Sequence, residues 1–495
     1  MTARVLMFQG TGSDVGKSTL VAGLCRIAKR QGISVAPFKP QNMSNNAAAC
    51  IDGGEIGRAQ ALQARAAGLE LHVDFNPVLL KPQSDRTAQI VVHGKVLDTI
   101  SASDYMNKQR QHLMDSVVDS FTRLSNSYDL VLVEGAGSTA ETNLRSRDIA
   151  NMGFAQRVKS PVCLIGDIDR GGVIASIVGT KTVIDASDAA LIKSFVINRF
   201  RGDPRLFDDG VVDIETMSGW PCRGVVPWLP SALKLPQEDA VVLEQHHESH
   251  GRQGGKIRIA VPMLSRIANF DDMDPLRLEP NVELGFVRPG TPIPKDIDAI
   301  IIPGTKSTVG DLAFLKAQGW HHDIIAFARQ GGHVTGVCGG YQLLGKHIHD
   351  PEGVDGDAGS VKGLGLLDIE TTMLANKQTR QVHGSCGRSG TPLSGYEIHA
   401  GTSTGRDTQT PMTILDNTPD GAMNAQGNVE GTYVHGLFSS DEFRASWLNR
   451  LKRDTASGLN YETTVENELD TLADGLEESL DVTALFNDAD VPQIP

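Results

Sequence analysis

Residues 4–32 contain one contiguous signal that limits what this chain can fold into. An apolar run, 4-RVLMFQG-10, leads into a glycine-rich turn, 10-GTGSDVGKST-19, and then into a run with helical spacing, 17-KSTLVAGLCRIAKRQG-32. In a strand, turn and helix of this kind, successive backbone N–H groups and the helix N-terminus face one anionic group. The stretch therefore predicts a parallel α/β sheet with a phosphate-binding loop at the carboxyl end of its first strand.

The loop is a variant of the usual phosphate-binding pattern, because Thr11 stands where that pattern has its first glycine. Lys17 is predicted to reach the outer phosphates of ATP, and Ser18 is predicted to bind Mg²⁺. The residues predicted to bind the nucleotide are Gly10, Thr11, Gly12, Asp14, Gly16, Lys17, Ser18 and Thr19.

Carboxylates at the ends of other apolar runs are candidates for completing the Mg²⁺ site. Glu134 ends the run 130-LVLVE-134 and enters a glycine-rich turn, and ligands bind at this edge of open α/β sheets. Asp52 is predicted as a ligand together with Ser18 and Glu134. Further candidates are Asp148, Asp167 and Asp169.

Short apolar runs alternate with helical stretches along the whole chain, which is typical of mostly parallel sheets covered on both faces. Residues 1–236 are predicted to form an ATP-binding domain, and the polar segment 237–256 is predicted to be a linker. A new α/β pattern begins at 257-IRIAVPML-264, so residues 257–495 are predicted to form a second domain. We therefore expect two doubly wound α/β domains.

A second motif places Cys338 between the strand-like run 332-GHVTGV-337 and a helical run that begins at Gly340. A thiol on such a turn lies beside a helix N-terminus, which lowers a thiol pKa and favours a nucleophile. A small buried core cysteine is the alternative. The backbone N–H of Gly339, with Gly304 or its neighbour in 301-IIPGTKST-308, is predicted to stabilise an oxyanion.

A thiol nucleophile needs a base, and His435 in 431-GTYVHGLF-438 is the predicted partner. His399 is the second candidate, and a structural role is the alternative for either histidine. Together, Cys338 and His435 resemble the nucleophile and base of class I, triad-type glutamine amidotransferases. Most of that class carry a glutamate two positions after the histidine, where this chain has Leu437, so another group would have to orient His435.

The phosphate loop resembles the dethiobiotin-synthetase-like branch of P-loop enzymes, which phosphorylate a carboxylate-type substrate. A nucleotide site of that kind combined with a source of ammonia predicts an ATP-dependent amide ligase. Production of ammonia within the chain would keep it away from protonation in bulk water.

Many stretches in one order resemble the cobyric acid synthase family over essentially the full length, among them 39-KPQNMSNNA-47, 146-SRDIANMG-153, 166-GDIDRGGV-173 and 336-GVCGGYQLLG-345. The resemblance implies amidation of carboxylates b, d, e and g of adenosylcobyrinic acid a,c-diamide, a corrin, with glutamine as the nitrogen source. Polar side chains in these stretches could bind such a polycarboxylate, and the candidates are Lys39, Asn42, Asn45, Lys81 and Asp148. Gln41 lies in the same stretch.

Three alternatives remain open from the sequence. Cobyrinic acid a,c-diamide synthase shares both domains and the chemistry, although residues 39–46 and 146–153 point away from it. Cytidine-triphosphate synthase joins similar domains but normally keeps the glutamate that Leu437 replaces. A non-catalytic, nucleotide-dependent binding module is the third alternative.

The composition limits the function classes further. A formal net charge of −14 argues against nucleic acid as a partner. Six cysteines without CxxC spacing predict neither a disulfide framework nor a zinc site. We also expect a cytoplasmic protein with no membrane partner and no bound prosthetic group, and a homo-oligomer is one alternative for its assembly.

Overall fold

The structure is a computed structural model that describes residues 2–83, 87–101, 110–238, 256–453 and 458–494. Most of the predicted linker lies outside these residues, and Gln237, Glu238 and Lys256 are its described members. We call residues 2–238 the first half and residues 256–453 the second half. The domain boundaries at residues 236 and 256 stay predictions.

The first half contains twelve strands among its described residues. They are β1 (Arg4–Gly10), β2 (Val35–Phe38), β3 (Gln41–Met43), β4 (Ala47–Ala49), β5 (Glu55–Gly57), β6 (Val78–Pro82), β7 (Thr87–Val92), β8 (Lys95–Ser101), β9 (Leu130–Ser138), β10 (Val162–Asp167), β11 (Ile192–Phe200) and β12 (Cys222–Pro227). Six of them form a fully parallel sheet in the order β12-β11-β10-β1-β9-β2.

The helices of the first half connect and cover these strands. They are α1 (Lys17–Arg30), α2 (Arg58–Ala67), α3 (Arg110–Ser127), α4 (Met152–Val158), α5 (Val173–Val183), α6 (Ala186–Ala189) and α7 (Asp208–Ser218). Both faces of the sheet are buried, because Val5 and Met7 join one apolar cluster whereas Leu6 and Phe8 join another. Strands buried on both faces need continuous apolar sequence, which explains the run in β1.

The second half has its own sheet. Its strands are β13 (Ile257–Pro262), β14 (Val282–Val287), β15 (Ala299–Ile302), β16 (His333–Val337), β17 (His347–Asp350), β18 (Gly359–Lys362), β19 (Ile369–Thr372), β20 (Gln378–Cys386), β21 (Pro392–His399), β22 (Thr402–Gly405), β23 (Thr413–Leu415), β24 (Thr418–Asp420), β25 (Ala422–Met423), β26 (Val429–Thr432) and β27 (Val434–His435). The main sheet runs β14-β13-β15-β16-β26-β25 and is parallel except for β25.

The helices of the second half are α8 (Asp274–Arg277), α9 (Thr308–Ala317), α10 (Trp320–Arg329), α11 (Gly339–Leu344) and α12 (Asp441–Leu451). The expectation of two α/β units with mostly parallel sheets is therefore confirmed.

The C-terminal helices α13 (Tyr461–Ser479) and α14 (Val482–Asn487) pack on the first half, although the sequence assigned them to the second domain. Leu472 and Leu476 of α13 share an apolar cluster with Leu20 and Leu24 of α1. Arg26 of α1 also pairs with Asp470 at 2.7 Å. The chain thus returns to cover one face of the first sheet, because α1 leaves apolar surface there that the helix buries.

None of the helices in the described ranges combines the length and the apolar character that a membrane crossing requires.

Candidate active site

The thiol lies on a sharp turn between β16 and α11, as the sequence predicted. Cys338 has φ 51° and ψ −109°, a conformation that non-glycine residues rarely adopt. The turn packs tightly on the loop after β15, because a Cβ on Gly340 would lie 2.0 Å from the carbonyl oxygen of Ile302. Glycine is therefore required at position 340, and backbone packing holds the strained turn at Cys338 in place.

His435 is brought to this turn by strand pairing. Gly336 of β16 pairs with Gly431 of β26, and the chain then continues through Tyr433 to His435 in β27. The imidazole of His435 is buried, and the Cys338 thiol is close enough to raise the pKa of His435. These two residues are therefore adjacent, as a nucleophile and its base must be.

Asp272 occupies the position of the third group, which the sequence did not identify. Its Oδ2 lies 2.7 Å from Nδ1 of His435, and its Oδ1 accepts a hydrogen bond from the backbone N–H of Gly436 at 2.6 Å. Burial by itself would lower the pKa of His435, but the Asp272 carboxylate and Cys338 raise it to about 10. The imidazolium is thus the favoured form, with Nδ1–H directed to Asp272.

Leu437, at the usual place of the glutamate, is fully buried in apolar surroundings. The acid instead comes from a short 3₁₀ helix, Phe270–Met273, and precedes the histidine by 163 residues. No local pattern distinguishes that aspartate from others in the chain, so sequence spacing could not locate it.

His399 makes different contacts from those of His435. Its ring stacks on Tyr433 with 3.8 Å between centroids, and its Nδ1 lies 3.2 Å from the carbonyl oxygen of Gly401. These contacts indicate a structural role and favour His435 as the base.

The predicted oxyanion residues lie in the two segments that meet at Cys338 and His435. A Cβ on Gly304 would lie 2.9 Å from Cε1 of His435, and one on Gly339 would lie 2.6 Å from Cγ2 of Thr305. The loop after β15 and the first residue of α11 thus touch each other next to the imidazole. Their assignment as oxyanion donors stays a prediction.

The glycine-rich loop of the first half joins β1 to α1, as its sequence predicted. Gly16 has φ 89° and precedes Lys17, the first residue of α1. The Lys17 ammonium donates to the carbonyl oxygens of Gly12 at 3.0 Å and Gly137 at 3.1 Å. Asp14 pairs with Arg170 at 2.7 Å and with Arg199 at 2.9 Å.

A cavity of about 850 Å³ opens beside this loop. The residues predicted to contact the nucleotide or the metal that line it are Asp14, Gly16, Lys17, Ser18, Thr19 and Glu134. Lys39, Gln41, Asn42 and Asp148 line it as well, whereas Asn45, Asp52 and Lys81 do not. The cavity is large enough for a small-molecule ligand.

Glu134 is the buried carboxylate of this cavity. It sits beside Phe8 of β1 in the parallel sheet, and it accepts hydrogen bonds from Ser18 at 2.8 Å and Gln63 at 2.6 Å. Burial alone would raise its pKa, but the Lys39 ammonium at 2.8 Å and these donors hold the pKa below its ordinary value. Glu134 therefore stays anionic within the protein.

Glu238, which the sequence placed in a linker, also reaches this site. Its carboxylate lies 3.3 Å from Nζ of Lys39 and 3.4 Å from Oγ of Ser18. It accepts from Asn42 Nδ2 at 2.5 Å, and its carbonyl oxygen accepts from Asn46. The polar composition that suggested a linker therefore concealed a site residue.

The hydroxyl of Ser18 and the carboxylates of Glu134 and Glu238 converge on one point, where Lys39 lies between the two acids. Hard oxygen donors of this kind suit Mg²⁺. The described residues contain no group of three or more His, Cys, Asp and Glu side chains placed to hold a metal. A Mg²⁺ ion at this point would thus rely on the hydroxyl and on the bound ligand for further oxygens.

Asp52 does not belong to this site, which corrects its prediction as a metal ligand. It is exposed in the turn between β4 and β5, where its Oδ1 accepts from the backbone N–H of Gly54 at 3.3 Å. A hairpin turn carries it away from the carboxyl edge of the sheet.

Lys81 is likewise engaged elsewhere. Its ammonium pairs with the buried carboxylate of Glu55 at 2.8 Å, and Lys377 of the second half pairs with the same carboxylate. Burial opposes the charge on Glu55, yet these two lysines lower its pKa to about 2. Lys81 therefore joins the two halves instead of lining the cavity.

The predicted roles of Asp148 and Asn45 in substrate binding stay predictions, and the structure shows other contacts for Asp148. Both carboxylate oxygens of Asp148 accept backbone N–H groups, from Ala150, Asn151 and Gly153 at 2.8 Å each, so Asp148 stabilises the start of α4. Oδ1 of Asn45 is buried without a hydrogen-bond partner among the described residues.

The chain matches two known domain families and is similar over nearly its full length to several curated proteins. Residues 6–242 match the family described as the CobQ/CobB/MinD/ParA nucleotide binding domain, and residues 258–443 match the CobB/CobQ-like glutamine amidotransferase domain. A cobyric acid synthase from Hyphomonas neptunium is 62% identical, with 99% of each chain covered. One from Paracoccus denitrificans is 59% identical and covers 97% of this chain and 98% of its own. One from Jannaschia sp. is 55% identical, and the match covers 98% of this chain and 99% of the relative.

Proposed function

The chain belongs to the cobyric acid synthase family of glutamine-dependent, ATP-driven amide ligases, and we propose that it amidates carboxylates b, d, e and g of adenosylcobyrinic acid a,c-diamide. The observation that carries this proposal is the presence of two separate reaction centres in one chain. One pairs a strained thiol with His435 and Asp272, and the other pairs a phosphate loop with Glu134.

In the thiol site, the sulfur of Cys338 attacks the side-chain amide carbon of glutamine, and the carbonyl oxygen becomes an oxyanion. The N–H groups near Gly304 and Gly339 are the proposed donors to that oxyanion. His435 then gives its Nε2 proton to the departing ammonia, which leaves a thioester on Cys338. Water hydrolyses the thioester with His435 as base, and glutamate and the free thiol are released.

Asp272 holds His435 ready for both proton transfers. The contact with Nδ1 leaves Nε2 directed to the thiol, and the raised pKa supplies the proton that ammonia needs on leaving. In acyl transfer, a buried carboxylate of this kind orients the imidazole and stabilises its charged form.

In the nucleotide site, an oxygen of the corrin carboxylate attacks the γ-phosphorus of ATP, so that ADP leaves and an acyl phosphate forms. Ammonia then attacks the acyl carbon, inorganic phosphate departs, and an amide remains. Lys17 and the loop N–H groups are proposed to hold the phosphates. Ser18, Glu134 and Glu238 are proposed to hold Mg²⁺, which supplies charge neutralisation on the phosphates when bound.

The corrin is proposed to enter the cavity next to the loop, where Lys39, Gln41 and Asn42 present polar groups. Apolar Leu80 and Ile90 form part of the same wall, which suits a ligand with both carboxylates and a hydrocarbon ring. Identities of 55–62% to cobyric acid synthases over nearly the full chain favour this substrate over that of the a,c-diamide synthase. Cytoplasmic location stays a prediction.

The test follows product mass with ATP, Mg²⁺, glutamine and adenosylcobyrinic acid a,c-diamide. We expect four successive amidations by the wild type, and no amidation with glutamine in Cys338→Ser. Ammonium chloride should restore amidation in Cys338→Ser, because the nucleotide site remains intact. An unchanged corrin mass in the wild type would exclude the proposed substrate.

A further inference from the structure

Three aspartates lie together beneath the imidazole of the thiol site, in the segment 271-DDMD-274. Asp272 contacts His435, while Asp271 and Asp274 are buried next to it. Oδ1 of Asp271 and Oδ2 of Asp274 are buried with no hydrogen-bond partner among the described residues. Three carboxyl groups are therefore crowded at a point that solvent does not reach, and burial raises the pKa of Asp271 and of Asp274.

The cation that faces Asp271 comes from the first half of the chain. Arg58 is the first residue of α2, and its guanidinium lies 2.7 Å from Oδ2 of Asp271. The side chain of Asp271 is 2% exposed, so this is a buried contact between the halves. Further contacts surround it, since the backbone N–H of Asn269 donates to Oδ1 of Asn46 at 2.6 Å.

The charge of Arg58 has a consequence for Asp272. Two neighbouring buried carboxylates repel each other, and without a nearby cation such a pair holds a proton. A proton shared with Asp272 would weaken its acceptance of the Nδ1–H of His435. Burial and the Asp272 charge raise the pKa of Asp271, and Arg58 at 2.7 Å opposes that rise, so Arg58 reduces the tendency of the two acids to hold a proton and leaves Asp272 free to accept from His435.

We propose that Arg58, supplied by the first half, is a positioning residue of the glutamine-hydrolysing site of the second half. The inference rests on the proposed function only in assigning glutamine to the Cys338 site. Glutamine hydrolysis by the second half then depends on the contact that Arg58 of the nucleotide-binding half makes with Asp271.

The helix that carries Arg58 also contacts the nucleotide site. Gln60 and Gln63 of α2 donate to Oε2 of Glu134 at 3.3 and 2.6 Å. From Arg58 to Gln63 the helix rises only about 7.5 Å. Helix α2 thus contacts Glu134 of the nucleotide site through Gln60 and Gln63, and Asp271 of the thiol site through Arg58. The helix therefore fixes the spacing between the two sites.

The test compares Arg58→Gln, Arg58→Lys and the double variant Arg58→Gln/Asp271→Asn. We expect kcat for glutamate release to fall about 10- to 100-fold in Arg58→Gln, with KM for glutamine changed less than about twofold. Arg58→Lys should recover most of the rate, because it restores the charge. Asp271→Asn in the Arg58→Gln background should also recover rate, because it removes the carboxylate that has lost its Arg58 partner.

A pH profile gives a readout that a purely structural role would not change. Loss of the Arg58 charge removes the main influence that lowers the pKa of Asp271, so the acid limb of kcat should move to higher pH in Arg58→Gln. The charged and titratable groups around the pair are Arg58, Arg277, Asp271, Asp272, Asp274, Cys338, Tyr396, His435 and Tyr461.

Arg65→Gln is the matched control, because Arg65 lies on the same helix but pairs with Glu462 and Glu466 of α13. It should leave glutamate release and ammonium-supported amidation unchanged. Equal loss of ammonium-supported amidation in Arg58→Gln, or no recovery in the double variant, would overturn the proposal. Glutamate release is measured separately from corrin mass. A wrong corrin assignment would therefore change the amidation result and leave the glutamate-release result unchanged.

Discussion

Glu134 and Asp274 are both buried carboxylates, yet their pKa values shift in opposite directions. Burial raises the pKa of each, but at Glu134 Lys39 and the donors Ser18 and Gln63 outweigh it. At Asp274, burial prevails over Arg277, and the neighbouring acids Asp271 and Asp272 add to it, so that the pKa rises to about 7. The surrounding charges, and not burial alone, therefore decide whether a buried acid stays ionised.

The two acid clusters reflect different tasks. The nucleotide site balances Glu134 with a cation, as a site that exchanges charged ligands requires. The thiol site accumulates acids under His435, because a negative group there stabilises the imidazolium. We therefore expect the second cluster to lower stability in return for catalysis.

The strongest way to test the contrast between the clusters is Asp272→Asn, which removes the charge beneath His435. An asparagine amide cannot hold the imidazolium, so kcat for glutamine hydrolysis should fall about 10³- to 10⁴-fold. Glutamate release under saturating glutamine measures this loss. Ammonium-supported amidation should stay at the wild-type rate, and a loss of less than about tenfold would contradict the role of Asp272.

Glu134→Gln tests the nucleotide site, where the Lys39 ammonium balances the buried carboxylate. Loss of the carboxylate should lower ammonium-supported amidation about 10²-fold, because Ser18 and Lys39 lose their anionic partner. ADP formation at saturating Mg²⁺ and ammonium is the measurement. Glu238→Gln should have a smaller effect, about tenfold, since its distance to Ser18 is longer, 3.4 against 2.8 Å. Glutamate release without ATP should be unaffected in both variants.

Asp274→Asn should change the reaction rates least, and its main effect concerns stability. The folded-state pKa of Asp274, about 7, lies above the ordinary value for an aspartate, so the folded protein keeps a proton that the unfolded chain has lost. Stability from this group is present at low pH and is lost as pH rises toward 7. Asparagine cannot ionise, so the variant should gain about 1 kcal/mol relative to wild type for each pH unit between about pH 5 and pH 7.

Urea unfolding of both proteins at these two pH values measures that gain. Asp296→Asn is a useful control, because Asp296 is a half-exposed partner of Arg258. A difference between Asp274→Asn and wild type that does not change with pH would show that Asp274 is ionised throughout.

The α/β fold class, and the turns that carry the phosphate loop and Cys338, could be predicted from local sequence. The phosphate loop and the Cys338 turn are contiguous patterns, in which glycines report the backbone geometry directly. The errors fell on single polar residues. Asp52 and Asn45 look like ligands in the sequence, but neither lines the cavity, and Asp52 lies in a hairpin turn.

Local sequence was sufficient for the two α/β units, the phosphate loop, the thiol turn and His435, because neighbouring residues encode each of them. Folding in three dimensions was needed to show that Asp272 completes the thiol site, that Glu238 joins the nucleotide site, and that α13 covers the first sheet. A carboxylate acquires its role from the cation or imidazole that folding brings beside it. Those partners lie far away along the chain, where no local pattern records them.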